Sequence, residues 1–257
     1  MTAQWMGIMG EHANSVAPLL VSTEQGDLKS TFCKSLLPAA LQRYYMDKVD
    51  LTSEGRVERR LAEIGLLNLD EFDKYPSTKM PLLKNLMQMA SLSLCKAYQK
   101  NHRSLPRIAS FIGTSNRKEL LTDPTGSRRF ICVMVKRPID CNGIEHKQIY
   151  AQLKAEILSG ERYWFTKEEE QVLQKNNLSF YRQGPVEDVL RSCYRSVEKG
   201  EEGELRSAAE IFQCLKKKNP SAMRGANPAS LAQILVAVGI ERKHTKFGNV
   251  YRVVKIG

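Results

Sequence analysis

The stretch Leu19–Pro38, LLVSTEQGDLKSTFCKSLLP, passes from an apolar run through a polar loop into a helical pattern. The run Ala17–Val21 predicts a central strand covered on both faces. The following pattern predicts a helix from Lys29 to Gln42, with Pro38 placed to kink or end it. The loop between them closes on Lys29-Ser30-Thr31. A phosphate-binding loop reads GxxxxGK[ST]. Aligned on Lys29-Ser30, this chain has Thr23 and Leu28 at the two glycine positions, and Gly26 is the one glycine inside the loop. The chemistry is still accessible, because phosphate oxygens need converging backbone N–H groups and a helix start, which no glycine has to supply. Lys29 would reach the outer phosphates and Ser30 would give the magnesium hydroxyl, with Thr31 next to it. A polar turn ahead of a helix has the same composition, so the loop alone does not decide between the two.

Working outward, YYMDKVDL (44–51), GLLNLDEFD (65–73), SFIGTSN (110–116) and FICVMV (130–135) are strand patterns, separated by helical ones such as SEGRVERRLAEI (53–64) and STKMPLLKNLMQMAS (77–91). The segment Leu92–Asn116 predicts a strand, a basic turn and a second apolar strand. This alternation predicts an α/β unit with a mostly parallel sheet. Three polar groups stand at strand ends, where α/β proteins build sites. Asp70-Glu71 is an acidic pair in which the first carboxylate positions magnesium and the second activates water. Asn116 suits a sensor of the terminal phosphate, although Asn is also a common turn former. Arg128-Arg129 follows DPTGS, and guanidinium groups neutralise charge on a transferred phosphoryl, often from a neighbouring subunit.

The 257 residues carry a formal net charge of +11 and are 42% hydrophobic, enough for a sizeable core. No apolar run is long enough to cross a membrane. Six cysteines and four histidines are scattered without a CxxC pair, which favours neither a disulfide framework nor a zinc site and suits a reducing cytoplasm. Thr166 and Glu169 form a capping-box pattern, and the segment Pro185–Lys199 predicts another helix. KGEEGE (199–204) reads as a linker. From Arg206 to Gly257 there are ten bases and two acids, a net of +8, over two helical patterns and a closing strand. Such a basic segment predicts a small winged-helix-like domain. The triplet Tyr163-Trp164-Phe165 predicts buried packing.

Four pieces, QGDLKSTFCKSLLP, LLNLDEFD, SFIGTSNRKELLTDPTGSRRFICV and GERYWFTKEEE, taken in this order, resemble the C-terminal ATPase part of the virulence-associated protein E family. That family is similar to superfamily 3 helicases and to primase-helicases of phages and mobile elements. The resemblance covers approximately residues 17–180, and the C-terminal AAEIFQCLKKKNPSAMRGANPASLAQILVAVGI also looks like the tail of family members from Bacteroides-type genomes. It implies a P-loop NTPase with an AAA+/superfamily 3 helicase-like sheet over 1–140, a helical extension and linker over 141–204, and a basic winged-helix-like domain over 205–257.

The resemblance further implies ATP and Mg2+ as cofactors. Gly26, Lys29, Ser30, Thr31 and Asp70 would bind them, with Ser30 and Asp70 at the metal. Glu71, Asn116 and Arg128 or Arg129 would act in catalysis, with Arg129 slightly preferred as the arginine finger. Related rings place a basic hairpin where KAYQKNHRS (96–104) lies, so Lys100, His102 and Arg103 are expected to touch DNA phosphates, with Tyr98 stacking or supporting. Lys216, Lys217, Lys218, Arg224, Lys243 and Lys246, with His244 and Arg242 beside them, are the expected contacts of the C-terminal domain. The expected partners are single-stranded or forked DNA, further copies in a homo-oligomeric ring, and a separate primase-like protein, since no priming chemistry is expected in this stretch. The alternative is a catalytically degenerate P-loop protein that serves as a DNA-binding or assembly module.

Overall fold

The computed structural model describes residues 1–257 except 11, 13, 53, 96–101, 123–127, 199, 247 and 257; of residues 54, 93–95, 102 and 103 it describes the backbone alone. The chain divides into two compact units, Met1–Tyr181 and Arg182–Gly257. The sequence had suggested borders at 140 and 204. The contacts instead place the 141–181 helices with the sheet and the next helix with the C-terminal unit.

The first unit is built on a five-stranded sheet of β1 (Ala17–Val21), β2 (Tyr45–Asp47), β3 (Leu66–Leu69), β6 (Ser110–Ser115) and β7 (Phe130–Met134), in the order β2-β3-β6-β1-β7. Every pairing is parallel. Between β3 and β6 the chain makes an antiparallel hairpin, β4 (Ser91–Cys95) with β5 (His102–Pro106), in which Ser91 faces Pro106 and Cys95 faces His102. The stretch 92–116 thus holds three strands where two were expected. The reason is the break at Arg107, Ile108 and Ala109, which ends the hairpin and lets β6 turn into the sheet.

Strand residues alternate between two apolar layers. Leu19, Val21, Leu67, Leu69 and Phe111 pack with Val57 and Leu61 of α3 (Glu54–Glu63) and with Leu83, Leu86 and Met87 of α4 (Met80–Gln88). Leu20, Leu66 and Ile112 pack on the other face against Cys33 of α2 (Lys29–Ser35) and against Leu37. Leu19, Leu66, Leu67 and Leu69 are fully buried, and each contributes about 1.5–3 kcal/mol over an exposed position. α2 stops at Ser35, short of the expected Gln42, because Pro38 restarts the chain as a 3₁₀ turn, Ala39–Tyr44. Gly113 is where strands crowd: a Cβ there would stand 2.6 Å from Leu19 Cδ2 and 3.1 Å from the Leu69 carbonyl oxygen.

Arg107 is fully buried. Its guanidinium donates to the carbonyls of Met89 at 2.6 Å, Asn14 at 2.9 Å and Met87 at 3.0 Å, and also to that of Ala109. Burial lowers its pKa to about 10. This one side chain joins the base of the β4–β5 hairpin, the end of α4 and the segment that leads into β1. Outside the sheet, α1 (Thr2–Trp5) and α5 (His146–Leu158) meet through Trp5 and Tyr150. α6 (Lys167–Asn176) starts at the expected capping box of Thr166 and Glu169.

The second unit has α7 (Pro185–Cys193), β8 (Tyr194–Ser196), β9 (Glu204–Ser207), α8 (Ala208–Lys218), α9 (Pro228–Ala237), β10 (Glu241–Thr245) and β11 (Gly248–Lys255). β11 pairs antiparallel with β10, β9 and β8. The helix expected over 185–199 ends at Cys193, where Tyr194 enters the sheet opposite Lys255. Its own core contains Leu190, Ile211, Leu215, Leu231, Leu235, Tyr251 and Val253. Among the described residues no helix is long and apolar enough to cross a membrane.

Candidate active site

All strands of the parallel sheet point their C-terminal ends to one edge, and the strand order reverses at β1, between β6 and β7. A crevice opens at such a switch point. Here it is a cavity of about 460 Å³ lined by Gln25–Thr31, Lys48, Asp70, Glu71, Thr114 and Asn116. Three separate sequence expectations, the loop with its Lys29-Ser30-Thr31 run, the acidic pair and Asn116, therefore meet in one place.

The loop leaves β1 at Ser22, whose N–H donates to the Ser115 carbonyl at 3.1 Å. The Ser22 hydroxyl also meets the carboxylate of buried Asp27. Gly26 takes φ 92 and Leu28 takes φ 57, so the leucine adopts the left-handed conformation that a glycine adopts freely. Leu28 is largely exposed and its carbonyl accepts from Phe32 N–H at 2.8 Å, starting α2. Among the described residues, no backbone bond outside the helices and strands has an N–H of Gln25–Thr31 as its donor. Lys29 is buried and its ammonium donates to the Glu24 carbonyl at 3.3 Å.

At the end of β3, Asp70 Oδ1 accepts two hydroxyls, from Ser30 at 2.7 Å and from Thr114 at 2.7 Å. Thr114 Oγ1 in turn accepts the Glu71 N–H at 3.2 Å. Glu71 has φ 53 and opens a 3₁₀ turn, Phe72–Lys74. Its carboxylate meets Lys74 and, at 2.9 Å, Lys48. These two ammonium groups, Lys74 first, hold the Glu71 carboxyl below its ordinary pKa. Ser115 Oγ donates to Asp73 Oδ1 at 2.8 Å and accepts the Arg117 N–H at 3.0 Å, which fixes the segment bearing exposed Asn116. The sequence reading missed Thr114, Lys48 and Asp73. Their one sequence signal is a polar residue just at or past a strand end.

Arg128 and Arg129 lie elsewhere. They immediately precede β7, whose Phe130 is level with Ala17, while Met134 is level with Val21. Five strand residues, about 13 Å, separate the two levels. Arg128 pairs with Glu170 at 3.2 Å and is 45% exposed; Arg129 is half-buried. Near that edge a second cavity, of about 630 Å³, contains Tyr163, Trp164, Phe165, Arg162 and Glu170. Trp164 stacks on His12 with ring centres 3.9 Å apart. Trp164 and Phe165 are 37% and 40% exposed, so the triplet lines a cleft where buried packing had been expected.

Of the expected DNA contacts, Lys100 and Tyr98 lie outside the described residues, and His102 and Arg103 are placed by backbone alone, on β5. In the second unit, Lys216, Lys217 and Lys218 end α8 and are exposed, as are Arg224, Arg242 and Lys246. Three acids of this unit pair with bases outside the expected set: Glu187 with Arg191, Glu201 with Arg195 and Glu204 with Arg206. Lys243 is 3.8 Å from Glu241, and His244 meets Asn249 at 3.0 Å.

A family model described as the virulence-associated protein E-like domain matches residues 13–182, and one described as a domain of unknown function from B. Theta matches residues 183–253. Similar solved structures include the apo structure of the NrS-1 C-terminal region (305–718), at 11% identity and a TM-score of 0.43, covering 99% of this chain and 70% of that one. The A form apo structure of the same region follows at 14% identity and a TM-score of 0.40, with the same coverage. No curated protein matches the chain.

Proposed function

The chain belongs to the virulence-associated protein E-like family, and from that premise we propose that its first unit is a magnesium-dependent P-loop ATPase of helicase type that acts on DNA in the replication of a mobile or phage-like element. The observation that carries this reading is the bonding of Ser30 and Thr114 to one oxygen of Asp70, each at 2.7 Å, in the cavity that also holds Lys29 and Glu71. A hydroxyl and a carboxylate side by side at a strand end fit a magnesium ion, which prefers oxygen donors and keeps several waters. Ser30 would hold it directly and Asp70 through water. Bound there, the ion would neutralise phosphate charge and polarise the terminal phosphoryl group.

The chain's own groups divide the remaining work. The backbone N–H groups of Gln25–Thr31 and the Lys29 ammonium suit the phosphates. Glu71 would orient the attacking water and accept its proton. Asn116, on the same cavity wall, would read the state of the terminal phosphate. An arginine about 13 Å along the sheet cannot complete its own site, which supports completion by a neighbouring copy in a ring. Exposure favours Arg128 over Arg129 for that role, reversing the order taken from sequence. DNA would run past the β4–β5 hairpin. The second unit, read as a winged-helix-like domain, would add phosphate contacts through Lys216, Lys217, Lys218, Arg224, Lys243 and Lys246, which give affinity without base selection. A separate primase-like protein is the proposed partner, in the cytoplasm.

The left-handed Leu28 and the tie of Lys29 to the Glu24 carbonyl favour a second reading, a degenerate loop in a DNA-binding module. One experiment separates them: ATP hydrolysis with and without single-stranded DNA by the intact chain, Lys29→Ala and Glu71→Gln. DNA-stimulated turnover lost in both variants supports the ATPase. No turnover in any of the three, with DNA binding unchanged, supports the module.

A further inference from the structure

The cleft at the far edge of the sheet from the acidic pair is built around one tryptophan, and its indole is braced. The His12 imidazole lies 9° from coplanar with it, ring centres 3.9 Å apart, and the Tyr163 ring meets it nearly edge-on at 4.9 Å. Arg162 donates to the Trp164 carbonyl at 2.8 Å while its fork holds the Glu169 carboxylate at 2.6 Å. Tyr163 is anchored in turn by its hydroxyl, which donates to the Ile8 carbonyl at 2.8 Å. Even so, Trp164 and Phe165 stay exposed, on the wall of the 630 Å³ cavity. Rings of this size ordinarily bury their area in a core. Two that are held in place and left open form a surface for another flat ring, and His12 already shows the stacking distance that Trp164 accepts. The volume falls within the roughly 300–1,000 Å³ of small-molecule sites.

The position of the cleft selects the kind of ring. Asn14 and Gln88 stand on its wall. Buried Arg107 binds both stretches, taking the Asn14 carbonyl at 2.9 Å and, on either side of Gln88, the carbonyls of Met87 at 3.0 Å and Met89 at 2.6 Å. Its own N–H donates to the Ala90 carbonyl at 3.0 Å, next to the Ser91–Pro106 pair that begins the β4–β5 hairpin. One side chain thus joins the wall of the cleft to the base of the hairpin. The sequence between the paired ends of that hairpin contains Lys96, Lys100, His102 and Arg103, a run suited to phosphates. A basic track beside open aromatic rings is the combination that holds a single strand, whose bases, unlike those of a duplex, present their faces. The acids of the cleft are already paired, Glu169 with Arg162 and Glu170 with Arg128, so they oppose a polyanion little.

We propose that this cleft is a base-binding site for single-stranded DNA, in which a nucleobase stacks on Trp164 and Phe165 while the neighbouring phosphates follow the hairpin. This rests on the reading that the chain acts on DNA, which the ATPase and the module share, and it needs no ATP hydrolysis. Every base has a π-face, so the stack grips the strand without choosing its sequence. Phosphate contacts supply the part of the affinity that salt weakens, and the stacked base supplies a part that salt leaves alone.

The test compares two labelled strands of equal length, oligothymidine and one with abasic sites in place of its thymines. Their binding to the full chain is read by fluorescence anisotropy over a series of salt concentrations, for the unaltered protein, Trp164→Ala, Trp164→Phe and Phe165→Ala. The unaltered chain is expected to prefer oligothymidine about tenfold, and Phe165→Ala to prefer it only about threefold. Trp164→Ala is expected to bind both strands alike, with the salt dependence of the unaltered chain because no phosphate contact is lost. Trp164→Phe keeps most of the preference because it keeps a ring. Equal binding of the two strands by the unaltered chain would overturn the proposal. So would full preference in Trp164→Ala or, should that variant unfold, in Phe165→Ala. Free thymidine monophosphate that abolishes the preference at concentrations comparable with the oligomer would overturn it in favour of a nucleotide site. Alanine variants that keep the preference but sediment as smaller species would overturn it in favour of a contact between copies. An unaltered chain that binds neither strand overturns the DNA-binding reading and this proposal with it.

Discussion

Leu28 is the residue at which sequence and conformation disagree most. A leucine at φ 57 carries about 1–2 kcal/mol of steric cost that glycine avoids. With its side chain largely exposed, little packing offsets that cost. Leu28→Gly is therefore expected to be neutral or to stabilise the fold by up to about 1 kcal/mol, and Leu28→Val, whose branched Cβ fits that conformation worse, to destabilise by about 1–2 kcal/mol. Urea unfolding of both variants checks the opposite signs; a stabilising valine would refute the argument. Lys29, Ser30, Asp70 and Glu71 were legible in sequence because each belongs to a short pattern tied to a strand end. Thr114 and Lys48 were not. Thr114 finds Asp70 across 44 residues, and a threonine at the end of a strand looks like ordinary β-propensity. Lys48 in a basic chain looks like a solvated surface charge until β2 and β3 are paired.

Local patterns survived best at the level of elements. The capping box of α6 was readable because Thr166 and Glu169 are three residues apart and need nothing distant. The switch from α7 to β8 was misread because it is decided by a pairing partner far along the chain, β11, whereas the end of α2 and the β4–β5 hairpin are set nearby, by Pro38 and by the break at Arg107–Ala109. The α6 start also sets a pH dependence. The Arg162 fork and the Thr166 N–H lower the Glu169 carboxyl from 4.5 to about 2. A depressed folded value means the contribution is whole above the unfolded value and fades as pH falls toward the folded one. The α6 start is thus expected to hold from neutral pH to about 4.5 and to loosen between there and about 2. A carboxyl-carbon NMR titration of Glu169 checks it, and a midpoint at 4.5 would show that the fork contributes nothing.

Across the whole molecule, the sheet has a direction: Ser30, Asp70 and Glu71 gather at one edge and Arg128 stands at the other. If neighbours complete each other, two inactive variants can repair one another. Arg128→Ala is expected to bind nucleotide normally and to hydrolyse it about a thousandfold more slowly. A mixture with Lys29→Ala is expected to exceed the sum of its parts, because some interfaces then pair an intact loop with an intact arginine. Strict additivity in the mixing assay would indicate that each chain works alone. The same sheet order also constrains how the protein is made. Among the described residues β1, which delivers the loop to the site, pairs with β6 and β7 alone. Its partners begin at Ser110 and Phe130, so nearly ninety residues leave the ribosome after Val21 before any strand can pair with it. At roughly 5–20 residues per second that is on the order of ten seconds. Through that interval Leu19, Leu20 and Val21, all buried in the finished protein, are among the barest of the nascent one.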